Sequence, residues 1–347
     1  MVHEEWIDVT KGIGILLIVL GHNNFDQSIL TVIHTFNIPL FFFISGYLYH
    51  YSKYKQKPGY FLSQKFKRLV VPYFVANLII LCTFILLSFF ELNSFGVDSS
   101  INHLIGIVYG NGAPLNPPTV LTNTLNIPSW FLLSLFCASL ILYAIAYSHE
   151  KYGLPFSLLL SFLIILLGSE ISKYVLLPWG FDIACVSMIF MFSGYLYNYY
   201  RMNLLCNSFR RNLYSYICIL FLYTAILSAV ISINRGVDMN TRAYSNLVLF
   251  GIGGISGTQI IIEIAKKISQ KENLLTKAFA YLGRNSIIIL LYHTFIPILF
   301  FDVLNRFVSV KELVYSSPIL SSFNMLVLSI IVIIIIRKTP FLDRVYS

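Results

Sequence analysis

Long apolar runs recur from one end of the chain to the other, with short polar stretches between them. Ten can be identified, at 10–26, 31–50, 70–91, 128–147, 154–173, 178–199, 212–233, 245–264, 279–300 and 317–336. Runs of this length can cross the roughly 30 Å of bilayer hydrocarbon as α-helices. Helices are required because lipid offers no hydrogen-bond partners to open backbone groups. The pattern predicts an all-α, polytopic integral membrane protein with about ten transmembrane helices.

The composition supports the same class. Hydrophobic residues make up 57% of the chain and charged residues only 11%, whereas soluble domains carry about a quarter charged residues. Glu4, Glu5 and Asp8 precede the first run and no small-residue cleavage site follows it, so we expect a retained first span and not a signal peptide. Residues 1–347 are therefore expected to form a single transmembrane domain without a soluble appendage.

The distribution of lysine and arginine predicts the orientation. The stretch after the second run is rich in both, whereas 92–127 has neither. Because cytoplasmic loops carry the excess of basic residues, both termini are predicted to be cytoplasmic, with 92–127 outside. The net charge of +9 then lies mostly beside anionic membrane lipid, and we expect no nucleic-acid partner. The five cysteines form no CxxC pair, so neither disulfides nor a metal site is expected.

Three histidines fall within the apolar runs, and each is a candidate functional residue because intramembrane ionisable groups are costly. His22 follows Lys11 by eleven residues, which puts both on one helix face about 16 Å apart along the axis. His34 lies near the start of the second run, three residues before Asn37. His293 lies in the ninth run. Any one could be a satisfied core histidine, but their similar predicted depth indicates one polar chamber.

A group of basic residues marks the predicted cytoplasmic ends of two spans. Lys65, Lys67 and Arg68 precede the third span, and Arg284 lies at the start of the ninth. One interpretation is an ordinary positive flank of the membrane. The other is a phosphate clamp for an anionic, nucleotide-bearing ligand. The residues alone leave both open.

Five segments together resemble the membrane acyltransferase-3 family, in the branch of sugar O-acetylases such as fucose 4-O-acetylase. They are the Lys11–His22 pair, PLFFFISGYLY at 39–49, KFKRLVVPY at 65–73, PSWFLLSLF at 128–136 and LGRNSIIILLYH at 282–293. The resemblance implies an O-acetyltransferase of the bacterial inner (plasma) membrane. Its donor would be cytoplasmic acetyl-CoA, and its acceptor a hydroxyl of a surface polysaccharide such as O-antigen, or of a lipid-linked precursor.

Two positions depart from the family pattern. Lys11 stands where arginine is more common, and Asn37 stands where relatives often carry histidine. Lysine binds phosphate without the bidentate fork of arginine. Whether His34 takes over the task of the missing histidine is an open question at this stage.

Acyl transfer to a hydroxyl needs a base and a group that stabilises the oxyanion. His22 is the expected base, because imidazole titrates near neutral pH, or alternatively the carrier of a covalent acyl group. His34, Asn37 and His293 are expected to orient the base or donate to the acyl carbonyl. The phosphates of CoA are assigned to the basic residues Lys11, Lys65, Lys67, Arg68 and Arg284, and the acceptor sugar to Ser129 and Trp130.

The main alternative is a transporter or flippase for a glycan precursor, which would also bury polar groups in the membrane. Transporters often contain inverted repeats with interrupted helices at matching positions. No such symmetry is visible, since the histidines fall in the first, second and ninth runs. The pattern therefore favours the acyltransferase. It leaves open the acceptor, the acyl group and the oligomeric state.

Overall fold

The computed structural model describes residues 4–89, 97–110, 112, 126–204, 213–304 and 317–347. Within these ranges the chain is helical and contains no strand, only an isolated bridge between Asp238 and Ala243. The helices are α1 (Glu5–Gly21), α2 (Gln27–Tyr47), α3 (Tyr51–Tyr54), α4 (Pro58–Lys65), α5 (Val71–Phe89), α6 (Val97–Tyr109), α7 (Trp130–Tyr152), α8 (Leu154–Ile171), α9 (Phe181–Val186), α10 (Met188–Leu204), α11 (Leu213–Ile233), α12 (Leu247–Ile268), α13 (Leu274–Arg284), α14 (Ser286–Tyr292), α15 (Phe295–Leu304), α16 (Pro318–Lys338) and α17 (Pro340–Val345). A π-helical turn (Phe66–Val70) joins α4 to α5.

Seven of the described helices are long and apolar enough to cross a membrane, and two bent pairs bring the number to nine. The pairs are α9 with α10, bent by 59°, and α13 with α14, bent by 63°. The first predicted run, 10–26, overlaps α1 over residues 10–21. Helix α1 has 17 residues and is about 26 Å long at 1.5 Å per residue. These features confirm the all-α, polytopic membrane class. The cytoplasmic location of the termini stays a prediction.

Part of the predicted outer loop 92–127 is helical. Its helix α6 has 13 residues, too few to span the bilayer, so it does not form one of the long apolar runs. Tyr73 of α5 donates to the Ile107 carbonyl at 2.8 Å, and Tyr109 donates to the Leu176 carbonyl at 2.5 Å. These two bonds attach α6 to neighbouring parts of the fold.

Helix α1 packs against α13, α2 and α12. The contact with α13 is close because glycines lie on both sides of it. A Cβ atom on Gly12 would lie 2.0 Å from the Phe279 carbonyl oxygen, and one on Gly283 would lie 1.8 Å from the Asp8 carbonyl oxygen. Small residues of this kind allow helix backbones in membranes to approach each other. The contact fixes the N-terminal half of α1 beside the basic end of α13.

Both α1 and α14 end immediately before a histidine. The first run was predicted to continue to residue 26, but α1 ends at Gly21 and His22 follows it. The reason is that side chains, in place of backbone N–H groups, donate to the last carbonyls of the helix. Asn23 donates through Nδ2 to the Val19 carbonyl at 2.8 Å. In the same way α14 ends at Tyr292 and His293 follows it. The ninth run, 279–300, thus includes the end of α13, all of α14 and the start of α15, with breaks at Asn285 and after Tyr292.

Candidate active site

His22 and His293 lie in contact. Their ring centroids are 4.8 Å apart and the planes meet at 79°, an edge-to-face arrangement. Nδ1 of His22 lies 2.8 Å from the Ile18 carbonyl, and Nδ1 of His293 lies 2.9 Å from the Ile289 carbonyl. A carbonyl can only accept, so in the neutral state Nδ1 carries the proton in both rings. Each ring therefore has a bare lone pair on Nε2, the form that a general base needs.

His293 is the more enclosed of the two. Its side chain is fully buried, and its Nε2 has no hydrogen-bond partner among the described residues. Leaving a buried polar atom unpaired costs about 1–3 kcal/mol, so such atoms are rare and call for an explanation. A substrate hydroxyl that donates to Nε2 would satisfy the atom.

The other two predicted catalytic residues lie on α2 and differ in their contacts. Nε2 of His34 is 3.4 Å from the Gly21 carbonyl at the end of α1, which puts His34 next to His22. Asn37 is buried, and its Oδ1 accepts from the backbone N–H of Ile38 at 2.7 Å. His34 thus joins the histidine pair, whereas the amide oxygen of Asn37 is engaged by its own helix.

A cavity of about 390 Å³ opens among α1, the π-helical turn and α13. We call it the cationic cavity, because five basic residues line it and none of the described residues in its wall is acidic. The five are Lys11, Lys53, Lys65, Arg68 and Arg284. Lys53 was not predicted, although it belongs to the same basic stretch. Such a wall suits a ligand with several negative charges.

Asp8 positions two of these cations from behind the wall. It is buried, and its Oδ1 lies 2.6 Å from Nζ of Lys11, three residues later on the same helix face. Its Oδ2 lies 3.8 Å from Nη1 of Arg284 on α13. The carboxylate therefore holds the side chains of Lys11 and Arg284 next to each other in the cavity wall. Sequence reasoning missed this role, for which the signal was the three-residue spacing to Lys11.

The π-helical turn determines which basic residues of KFKR reach the cavity. Lys65 precedes the turn and Arg68 lies within it, and both line the cavity. Lys67 is exposed and is absent from the wall. The wider turn rotates neighbouring side chains relative to an α-helix, and π-turns are frequent at functional sites. The assignment of Lys67 to phosphate binding stays a prediction.

The far end of the cationic cavity is apolar and adjoins the histidines. Ile15 and Ile18 of α1 continue the face that begins at Lys11 and lead to His22. The Ile18 carbonyl holds the ring of His22, and the Leu290 carbonyl lies 3.1 Å from Nδ1 of His293. Both Ile18 and Leu290 line the cavity. The cavity therefore leads from the basic residues to the backbone that carries both imidazoles.

Ser129 and Trp130 lie at the start of α7 and are buried. Ser129 donates to the Asn126 carbonyl at 2.6 Å and accepts from Nδ2 of Asn77 at 3.1 Å. Asn126 in turn donates to the Leu291 carbonyl at 2.8 Å, two residues before His293. These bonds attach the start of α7 to the histidine-bearing end of α14. Contact of Ser129 and Trp130 with a sugar stays a prediction.

A comparison with protein families gives one match, to the acyltransferase domain of the acyltransferase-3 family, over residues 4–338. Comparisons with curated proteins and with solved structures found no match. The matched range includes the cationic cavity's basic residues and both histidines of the pair. It favours the enzyme over the transporter alternative and identifies a multi-pass membrane acyltransferase. The chain therefore belongs to the membrane acyltransferase-3 family.

Proposed function

We propose that this acyltransferase transfers an acetyl group from acetyl-CoA to a sugar hydroxyl of a surface polysaccharide or of its lipid-linked precursor. The proposed location is the inner membrane of a bacterium, with the donor entering from the cytoplasm. One observation carries the proposal: a single cavity is lined by five basic side chains and by Ile18 and Leu290, whose carbonyls bond to the imidazoles of His22 and His293. The sugar O-acetylase branch, suggested by the sequence, supplies the choice of acetyl group and acceptor.

The positive charge of the cationic cavity supports an acyl-CoA as the donor. The nucleotide end of CoA carries phosphates, which basic side chains bind through charge-assisted hydrogen bonds. The pantetheine arm is longer and largely uncharged, and it would follow the apolar face formed by Ile15 and Ile18. The eleven residues from Lys11 to His22 span about 16 Å of helix. A thioester at the end of the arm would then lie at the histidine pair.

The direct route uses His22 as a general base. Its Nε2 takes the proton of the acceptor hydroxyl while the hydroxyl oxygen attacks the thioester carbonyl. The tetrahedral intermediate collapses, the carbon–sulfur bond breaks, and the proton passes to the CoA sulfur. The imidazolium formed on the way lies at the C-terminal end of α1, where the helix dipole favours a positive charge by about 0.3–1 kcal/mol.

A covalent route is also compatible with the two bare Nε2 atoms. Nε2 of His22 would attack the thioester carbonyl and expel CoA as the thiolate. The acceptor hydroxyl would then attack the acyl-imidazole while His293 takes its proton. The routes differ in one observable, because only the second leaves acid-labile acetyl on the protein.

The test uses purified protein in nanodiscs with radiolabelled acetyl-CoA. We expect wild type to bind the donor, release CoA and label an acceptor glycan. His22→Ala should bind the donor without transfer, and Lys11→Ala should bind it more weakly. Lys173→Ala is the matched control, since Lys173 is an exposed cation just after the end of α8, is paired with Glu170 and is absent from the wall of the cationic cavity. Wild type that neither binds acetyl-CoA nor depends on His22 would contradict the proposal.

A further inference from the structure

The loop between α11 and α12, residues 234–246, is folded against the protein and has a defined shape. The apolar side chains of Val237, Met239 and Tyr244 are buried. Asp238 and Ala243 exchange two backbone hydrogen bonds of 2.8 and 2.9 Å. Residues that pack and pair in this way form a rigid surface and not an unstructured connection. We call residues 234–246 the docked loop.

A buried ion pair attaches the docked loop to the start of α9. Arg242 donates to Asp182 at 2.8 and 3.3 Å, and the two side chains are only 7% and 0% exposed. Arg242 also has a positive φ of 61°, a conformation that costs a non-glycine residue about 1–3 kcal/mol unless its surroundings hold it. The pair neutralises Arg242. Asp238 is left as the acidic group of the docked loop that is nearest the histidines.

Two contacts bring the docked loop to the candidate active site. Asn240 donates through Nδ2 to the Gly112 carbonyl at 3.3 Å. A Cβ atom on Gly112 would lie 2.5 Å from Cδ1 of Trp130 and 2.8 Å from Oδ1 of Asn240, so only glycine fits between them. Trp130 follows Ser129, whose partner Asn126 donates to the Leu291 carbonyl two residues before His293, so these contacts connect the docked loop to the histidine-bearing end of α14. Asp238 also interacts electrostatically with His22.

Asn240 has a free acceptor at this place. Its Oδ1 is buried and has no hydrogen-bond partner in the part of the chain that the structure describes. Its backbone N–H donates to Oδ1 of Asp238 at 2.8 Å, which ties the two side chains into one unit. A buried acceptor without a donor suggests a ligand that brings one. An amide oxygen and a carboxylate are both hydrogen-bond acceptors. Together they suit the hydroxyl groups of a ligand, which can donate to each of them.

We propose that Asp238 and Asn240 form the acceptor subsite, where they hold the hydroxyls of an uncharged sugar at His22, with Trp130 as the wall behind them. This inference rests on the proposed function and adds the class of the acceptor. Because Arg242 is already paired with Asp182, the subsite has a net negative charge. A uronic acid or another carboxylated sugar would be repelled. Asp238 is a positioning residue, since it acts on the acceptor and not on the thioester.

The test compares Asp238→Asn and Asn240→Ala with wild type and with Arg235→Gln, an exposed cation of the docked loop. The acceptor probes are methyl glycosides of glucose, galactose and fucose, with glucuronate and galacturonate as their charged counterparts. Loss of a hydrogen bond to a charged group should raise the acceptor KM of Asp238→Asn by about 10- to 100-fold. The acetyl-CoA Kd of Asp238→Asn should stay within about twofold of wild type, because the donor binds in the cationic cavity, and Arg235→Gln should behave as wild type. Asp238→Asn should also lower the discrimination against the uronates.

Hydrogen exchange on the wild-type protein provides a second measurement that needs no variant to fold. The accepted neutral glycoside should slow exchange in residues 236–244. The inference is overturned if the acceptor KM of Asp238→Asn is unchanged, if the uronates are preferred, or if no neutral sugar is accepted or protects the loop. If wild type fails to bind acetyl-CoA at all, the proposed function fails instead, and the two failures are thereby distinguished.

Discussion

The cationic end of the site is built on helical segments, whereas the end beyond the histidines is closed by a loop. At the cationic end, α1, α3, α4, the π-helical turn and α13 each contribute one of five basic residues, of which Lys11 and Arg284 pair with the buried Asp8. At the other end, the docked loop carries a paired arginine and the acidic Asp238. One end therefore attracts anions and the other repels them.

This contrast suggests a division of labour within the family fold. A donor shared by many acyltransferases can be bound by fixed side chains on packed helices. An acceptor that varies from one enzyme to the next is better recognised by a loop, because loops tolerate sequence change on a rigid scaffold. In the proposed arrangement the histidine pair lies between the two ends, where donor and acceptor would meet.

The largest effect is expected at this junction. His293→Asn removes the imidazole lone pair, while its amide can still donate to the Ile289 carbonyl. Since His293 takes the acceptor proton on the covalent route, transfer by that route should fall by about 10²- to 10⁴-fold, the range for loss of a general base, with acetyl-CoA binding unchanged. The measurement is kcat for transfer beside the Kd of the donor.

His34→Asn is the matched control for that variant. Nε2 of His34 lies 3.4 Å from the Gly21 carbonyl oxygen, and among the described residues His34 has no ring contact with His22. We expect a smaller loss of kcat than in His293→Asn. Equal losses would mean that the three histidines act as one network, and the functional distinction drawn between His34 and His293 would be wrong.

The helical end could be predicted from the sequence much further than the loop end. Lys11 and His22 share a face because eleven residues make three helical turns, a local property that needs no tertiary information. By contrast, the docked loop is placed by the pair of Arg242 with Asp182, sixty residues apart, which no local pattern reveals. The role of Asn37 stays a prediction, and its local contact, in which Oδ1 accepts from the N–H of Ile38, could not be predicted from the sequence. The break between α13 and α14, at Asn285, also involves long-range contacts, because Arg337 of α16 donates two hydrogen bonds to Oδ1 of Asn285.

The second largest effect concerns the attachment of the docked loop. Asp182→Asn leaves Arg242 as an unpaired buried charge, which costs about 3–5 kcal/mol. We expect a lower unfolding temperature and a higher acceptor KM, with the acetyl-CoA Kd of the folded fraction close to wild type. Thermal unfolding and donor binding, measured on the same nanodisc samples, check this.

The double variant Asp182→Leu with Arg242→Met supplies the control. Replacing both charges with apolar groups of similar size removes the desolvation cost together with the pair, so stability should largely return. If the double variant is as unstable as Asp182→Asn, the ion pair does more than hold the loop by charge.

A third prediction compares adjacent cations at the helical end. Arg68→Gln removes a side chain that lines the cationic cavity, and Lys67→Gln removes the same charge from an exposed position outside it. Loss of a charge-assisted bond to phosphate should raise the acetyl-CoA KM of Arg68→Gln by about 10- to 100-fold. Lys67→Gln should change it by less than about fivefold, since exposed charges contribute at most about 1 kcal/mol. Equal effects would mean that the basic stretch acts through the general field of the membrane face and not through the cavity.

The smallest effect is expected at the start of α1, where Glu4 fixes the helix to its neighbours. Glu4 accepts from Arg201 at 3.1 Å and from Tyr47 at 2.9 Å. Burial alone would raise the pKa of Glu4, but the bonds from Arg201 and Tyr47 outweigh it and hold the pKa below its ordinary value. A carboxyl group whose pKa is lowered on folding contributes stability above its unfolded pKa, and this contribution is lost as the pH falls through the folded pKa.

Wild type should therefore lose stability more steeply than Glu4→Gln as the pH is lowered from about 5 towards 3, by a fraction of a kcal/mol because the pair is partly exposed. The measurement is the unfolding temperature of both proteins across that range. The same change should weaken acetyl-CoA binding slightly, since α1 carries Lys11, and should leave the acceptor KM unchanged. Glu4 bonds to α2 and α10 and has no bond to the docked loop within the described chain. A change in the acceptor KM without a change in donor binding would therefore contradict the separation of the two ends.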